Sequence, residues 1–136
     1  MYESETQLRV RYAETDQMGI VYYGNYAQYF EVGRVESIRG LGYTYKTMEE
    51  EGVIMPVIEL NIKYLRSAMY DDLITVKTTV RELPDNHRIE FFQEVFNEQG
   101  KLLTTGKVVL YFLDAKTRQK TTMPHTLKEK LLPYFK

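Results

Sequence analysis

The sequence predicts an α+β fold, a five-stranded antiparallel sheet wrapped around one long central helix. Three features carry that expectation: a period-two strand pattern near the N-terminus, a long apolar helical pattern starting near Tyr26, and four strand patterns from Val57 onward. One strand, one helix and then four strands in succession lacks the regular alternation of parallel βαβ units, so the sheet is expected to be antiparallel.

The first strand is read from Leu8, Val10 and Tyr12, which alternate with Gln7, Arg9 and Arg11. A polar, glycine-containing loop from Ala13 to Gly24 then leads to the helix. Tyr26, Tyr29, Phe30 and Gly33 fall at helical spacing, Asn25 and Gln28 have capping-box spacing, and Gly40 and Gly42 supply stops, which gives about four turns. Val32, Val35 and Ile38 lie on other faces, so the helix is expected to be enclosed on most sides. Glu31 and Arg34, three apart, are expected to pair.

Thr44 to Glu51 reads as a short second helix stopped by Gly52, with Glu49, Glu50 and Glu51 as a solvated end. After Pro56 come the four strands. Ile58, Leu60, Ile62 and Tyr64 share a face of the first, and Ile74, Val76, Thr78 and Val80 a face of the second. Ile89, Phe91, Gln93 and Val95 mark the third, and the run from Leu102 to Leu113 the fourth. Pro84-Asp85-Asn86 and Asn97-Glu98-Gln99-Gly100 are turns, and Pro124 to Tyr134 reads as a terminal helix. A sheet of this kind leaves long edges, and pairing them between two copies of the chain removes them, so a homo-oligomer is expected.

Composition narrows the function. The chain has 136 residues, 43% of them hydrophobic, with 18 Lys plus Arg against 19 Asp plus Glu. That suits one domain over residues 1–136 that buries roughly two-thirds of its unfolded surface. A net charge of -1 offers no basic field for a phosphate backbone, so nucleic acid is not an expected partner. No apolar run approaches the roughly 20 residues that span a bilayer, and the first residues lack a signal-peptide pattern, so a cytoplasmic location is expected. The absence of cysteine removes thiol nucleophiles, disulfides and cysteine-rich zinc sites.

Only two histidines are present, His87 in a hairpin turn and His125 beside Pro124, and neither lies in a loop suited to chemistry. There is no Gly-x-Ser-x-Gly elbow, no His-Glu-x-x-His and no phosphate-cradling glycine loop. What remains is Tyr12 to Tyr26, which puts Asp16 a few residues ahead of the helix. A helix start carries unsatisfied N–H groups and about half a positive charge, and both polarise a carbonyl oxygen placed there. Asp16 then has two roles open to it, direct attack on the carbonyl carbon or deprotonation of a water. Such a site has no evident acid to protonate a poor leaving group. A thioester, which releases a stabilised thiolate, fits better than an amide.

Residues Tyr12 to Arg34, with Thr15-Asp16, Gly19-Ile20-Val21-Tyr22, Asn25-Tyr26 and Phe30-Glu31, closely resemble the signature of the 4-hydroxybenzoyl-CoA thioesterase family of hotdog-fold proteins. The likeness extends more loosely from Gln7 to Asp114, through Arg66-Ser67-Ala68-Met69-Tyr70-Asp71-Asp72. It implies an acyl-CoA thioesterase in which Asp16 matches the catalytic aspartate, and the N–H groups around Tyr23 and Gly24 match the position that polarises the thioester carbonyl. It also implies a site at a dimer interface, commonly within tetramers. Tyr23 stands where one branch of the family often has histidine, Glu14 where aspartate is frequent, and Ser67 where proline is common.

Met18, Tyr22 and Tyr26 are the candidate residues for the acyl group, with Tyr26 and Tyr29 also expected in packing. Lys63, Arg66 and Arg88, at strand ends, are candidates for the CoA phosphates. No metal or redox cofactor is implied. The rival readings are an acyl-carrier dehydratase, which would need a histidine at the site, and a non-catalytic acyl-CoA or lipid binding module.

Overall fold

A computed structural model describes residues 1–136. The elements in chain order are β1 (Tyr2–Arg9), α1 (Tyr26–Gly40), α2 (Tyr45–Glu50), β2 (Val53–Ile54), β3 (Val57–Tyr64), β4 (Leu73–Val80), β5 (Arg88–Phe96), β6 (Leu102–Tyr111), β7 (Leu113–Asp114) and α3 (His125–Leu131). Single 3-10 turns lie at Tyr12–Glu14, Tyr23–Asn25 and Leu132–Phe135. Five strands form one antiparallel sheet in the order β1-β4-β5-β6-β3, while β2 and β7 make a separate two-stranded ribbon. The fold class expected from the sequence is the one observed.

The α1 helix lies across the sheet because two glycines let it approach. A side chain at Gly33 would come within 2.6 Å of Val76 and 2.8 Å of Gln93, and one at Gly106 within 2.2 Å of the Phe30 ring. Phe30 is fully buried there with Phe91, Val108 and Leu110, each fully buried apolar side chain contributing about 1.5–3 kcal/mol. Underneath, Gln93 donates to the Phe30 carbonyl at 2.8 Å and to the Thr78 hydroxyl at 3.0 Å.

Several expectations are corrected. The first strand begins at Tyr2, not Gln7, because polar Ser4 and Thr6 occupy inward positions and mask the alternation. Tyr12 lies beyond its end, 78% exposed in a 3-10 turn. The helix is covered on one side only: Tyr26, Tyr29, Phe30, Gly33, Ser37 and Ile38 face the sheet, while Val32 is exposed, since one sheet curls over one face. Glu31 and Arg34 do not pair. Arg34 belongs to the covered stripe, where its Nη1 donates to Gln93 at 3.2 Å, and Glu31 points to solvent. Asn25 does not cap α1; already helical in its own dihedrals, it turns its amide to the Glu14 carbonyl at 2.8 Å.

The second helix is capped by Thr44, whose hydroxyl accepts from the Thr47 N–H at 3.0 Å, and Gly52 follows it at φ +86°. Glu51 is not merely solvated, since it accepts from the Tyr43 and Thr126 hydroxyls. The link from β3 to β4 is a crossover between strands that are not neighbours in the sheet. Residues 65–72 cross from one sheet edge toward the other, passing α1, where the Ala68 N–H donates to the Tyr26 hydroxyl at 3.2 Å.

The two sheet edges differ in chemistry. Glu3, Glu5, Gln7 and Arg9 point to solvent along β1, whereas β3 exposes Val57, Ile58 and Leu60 beside an edge that no strand of this chain pairs. Ile58 and Leu60, read as part of one strand face with Ile62 and Tyr64, are 50% and 42% exposed.

Candidate active site

The loop between β1 and α1 folds as a small hairpin. The Tyr22 N–H donates to the Glu14 carbonyl and the Asp16 N–H to the Ile20 carbonyl, both at 2.9 Å, with Thr15 opposite Val21. Gly19, at φ +79°, closes the turn by donating to the Asp16 carbonyl at 3.0 Å, in a conformation that favours glycine. The crossover segment backs this hairpin, since Val21 donates to the Ala68 carbonyl at 2.9 Å and Ile20 bridges Met69.

Asp16 is half-buried at the head of the turn. One carboxylate oxygen accepts from the Met18 N–H at 2.9 Å, and the other has no hydrogen-bond partner in the chain. After Tyr22 the chain enters the 3-10 turn that runs directly into α1. The N–H groups of Tyr23 and Gly24 find no acceptor in the chain and stand open at the positive end of the helix. A side chain at Gly24 would meet the Tyr22 ring at 2.9 Å, so that ring folds directly over the Gly24 backbone.

Aromatic rings surround the helix start. Tyr22 and Tyr23 have centroids 4.8 Å apart, and Tyr64 packs edge-on against Tyr23 and Tyr26 at 6.1 and 5.4 Å. The Tyr64 hydroxyl also donates to the Tyr23 carbonyl at 3.2 Å. Tyr22, Tyr23 and Met18 are exposed, at 47%, 63% and 75%, whereas Tyr26 is buried in the core. Asp16, Met18, Tyr22 and Tyr23 line none of the single-chain cavities of about 340–530 Å³.

The cations are dispersed. Lys63 precedes Tyr64 on β3 but points to the opposite sheet face, where it lines a cavity of about 530 Å³ with Lys77 and Lys107. Arg66 is exposed at the start of the crossover, its N–H donating to the Leu103 carbonyl at 3.0 Å. Arg88 opens β5 at the far end of the sheet, about 26 Å of strand from Phe96, and pairs with Glu90 at 2.6 Å. Within one chain it is not brought to the loop. His87 packs on Tyr111, and His125 pairs with Glu129 at 2.8 Å, both away from Asp16.

Sequence reasoning missed Glu14 as an organiser. Its side chain is nearly buried, with one oxygen accepting from the Arg11 N–H and the Tyr29 hydroxyl, each at 2.9 Å. The other oxygen takes the Arg11 guanidinium at 3.1 and 3.0 Å. Burial pushes the carboxyl pKa up, but the Arg11 N–H, the Tyr29 hydroxyl and the guanidinium together outweigh it, and the net direction is down. Burial and the adjoining carboxylate push the Tyr29 phenol strongly up, so it stays a donor. The available sequence signal was the Arg11-x-x-Glu14 spacing, which lets a glutamate reach back to the N–H three residues before it at the start of the 3-10 turn.

An antiparallel sheet laid over one long helix, with an acidic hairpin leading to the helix start, defines a hotdog-fold protein of thioesterase type. The chain belongs to the Thioesterase-like superfamily, whose pattern matches residues 10–131. It is 39% identical over 102 residues to the candidate acyl-CoA thioesterase YneP of Bacillus subtilis, covering 75% of this chain and 73% of that protein. Among solved structures it resembles DHNA-CoA thioesterase from Staphylococcus aureus, with 38% identity, a TM-score of 0.89 and coverage of 100% and 97%. A 4-hydroxybenzoyl-CoA thioesterase variant complexed with 4-hydroxybenzoyl-CoA shares the fold at 19% identity, with a TM-score of 0.85 over 96% and 99%. The family resemblance read from residues Tyr12 to Arg34 is thereby borne out. No helix is long and apolar enough to cross a membrane.

Proposed function

We propose that this protein is an acyl-CoA thioesterase, hydrolysing a CoA thioester to a free acid and CoA. The observations that carry the reading are the half-satisfied Asp16 carboxylate on the hairpin and the open N–H groups of Tyr23 and Gly24 in the turn that follows it. The thioester carbonyl oxygen is placed at those two N–H groups, where developing negative charge is stabilised. The free oxygen of Asp16 then acts in one of two ways. It attacks the carbonyl carbon, expelling CoA thiolate and forming a mixed anhydride that water opens, or it takes a proton from the water that attacks. Heavy-oxygen water in a single turnover tests the first route: label appears in the Asp16 carboxylate only if an anhydride forms and water opens it at the Asp16 carbonyl carbon, whereas opening at the acyl carbon and the general-base route both place the label in the released acid.

The working unit is proposed to be a homo-oligomer built on a dimer. The unpaired apolar edge of β3 supports this, because Val57, Ile58 and Leu60 stay wet in one chain. The second copy would wall the acyl site beside Met18 and Tyr22, with Arg66 of the crossover as the candidate for CoA phosphates at its mouth, whereas Lys63, on the opposite sheet face, does not reach that mouth within one chain. Arg88 could serve only if the partner copy brings it near. Tyr26, being core, acts through packing against Tyr64.

The test is a panel of short aliphatic, long-chain and aromatic CoA thioesters assayed with a thiol-reactive dye. Thiol release from at least one, abolished in Asp16→Asn, is the expected result. Tight acyl-CoA binding with no release over hours would establish the non-catalytic reading instead.

A further inference from the structure

We propose that Glu14 is a positioning residue of this site, clamping the Asp16 hairpin to the start of α1 so that carboxylate and open amides keep one geometry. The inference rests on the thioesterase reading and adds a residue that does not itself touch substrate.

The hydrogen-bond pattern supports a clamp and not a base. Both side-chain oxygens are filled, one by the Arg11 N–H and the Tyr29 hydroxyl at 2.9 Å each, the other by the Arg11 guanidinium at 3.1 and 3.0 Å. The carbonyl oxygen of the same residue takes the Tyr22 N–H at 2.9 Å and the Asn25 amide at 2.8 Å. No lone pair is left to receive a proton from water. The carboxylate joins the end of the β1 limb at Arg11 to the second turn of α1 at Tyr29, and the main-chain carbonyl, which any residue here would keep, adds the returning limb at Tyr22 and the 3-10 turn at Asn25. Tyr23 and Gly24 lie between two of those anchor points, and Asp16 is two residues from Glu14.

Apart from its own main-chain bonds and the contacts of Ile20 and Val21 with the crossover, the hairpin has few side chains to hold it. Its outer residues, Gln17, Met18 and Gly19, are exposed, and only Val21 of the returning limb enters the core. Loops with few buried contacts open at low cost, whereas reaction at two separately placed groups is sensitive to shifts of an ångström. The Tyr29 hydroxyl sits on a buried residue, so the clamp ties the loop to the rigid helix and not to solvent-facing groups alone.

The experiment compares Glu14→Ala, Glu14→Gln and Tyr29→Phe with the unaltered protein. It uses circular dichroism, steady-state kinetics on whichever thioester of the panel turns over best, and amide hydrogen exchange read by peptide. Glu14→Ala is expected to fold, to lose about 30-fold in kcat with KM within two-fold, and to exchange faster in residues 14–25 but not in 33–40. Glu14→Gln, whose amide oxygen still accepts from Arg11 and Tyr29, should recover to within about five-fold. Tyr29→Phe should lose about three-fold in kcat alone.

A folded Glu14→Ala with unchanged kcat, or with unchanged exchange over 14–25, overturns the proposal. If that variant does not fold, an unchanged kcat in Tyr29→Phe overturns it. If the unaltered protein cleaves no thioester, the functional reading falls by itself, and the exchange comparison still decides whether Glu14 holds the loop.

Discussion

The Met18 main-chain N–H donates to one carboxylate oxygen of Asp16 at 2.9 Å, and the second oxygen of that carboxylate has no partner in the chain. The turn therefore uses half of the group and leaves half for chemistry. Asp16→Asn separates the two, because an asparagine carbonyl accepts the same Met18 N–H while losing the charge, the nucleophilicity and the basicity. We expect an unchanged circular dichroism spectrum and a loss of about 100-fold or more in kcat. Retained turnover in this variant would remove Asp16 from the mechanism.

The open edge of β3 yields a second prediction. Leu60 is 42% exposed in the single chain, so lysine at this position remains solvated in a monomer but is buried unpaired if two β3 edges join. Leu60→Lys should leave the monomer fold intact, lower the mass seen by light scattering to that of one chain, and reduce thioesterase activity at least ten-fold at the same protein concentration. An oligomer of unchanged mass would exclude this edge as the interface.

Most of the fold was legible because long periodic elements announce themselves. The α1 helix starts at Tyr26 as expected, and β3, β4 and β5 fall where alternation put them, whereas the run from Leu102 to Leu113 divides into β6, ending at Tyr111, and β7 in the separate ribbon. What stayed hidden was tertiary. Placing β3 beside β6 depends on a crossover whose length says nothing about its destination, and the inward turn of Arg34 depends on Gln93, distant in sequence. In the site, the Asp16 turn could be read from Thr-Asp-x-x-Gly and the open amides from the position of the helix. Glu14 could not be read as a hub, because its decisive partner, Tyr29, meets it only after the loop has folded back on α1.

Close approach of helix and sheet predicts a large effect from one methyl group. At Gly106 a Cβ would lie 2.2 Å from the Phe30 ring and 3.1 Å from the Asn61 carbonyl, and Phe30 is fully buried with no room to withdraw. Gly106→Ala should destabilise the protein by about 1–3 kcal/mol, the usual cost of overpacking a filled core. Urea denaturation reads this directly as a lower midpoint with an unchanged slope. A midpoint within error of the unaltered protein would mean that α1 can lift from the sheet at little cost.

Acid should act on the Glu14 clamp in a defined direction. Burial raises its pKa, but the Arg11 N–H, the Tyr29 hydroxyl and the Arg11 guanidinium lower it by more, so the folded state holds the proton less well than the unfolded chain. A carboxyl depressed on folding contributes stability that is present above its unfolded value, about 4.3, and is lost as pH falls through the folded one. Glu14→Gln has no such proton to gain. The unaltered protein should therefore be more stable than Glu14→Gln at pH 7, and the gap should narrow below about pH 4, where other carboxyls titrate alike in both and cancel. Urea midpoints at pH 7 and pH 3.5 measure it. A gap that is the same at both values would mean that the Glu14 charge contributes nothing to holding the loop, leaving only its shape and neutral hydrogen bonds.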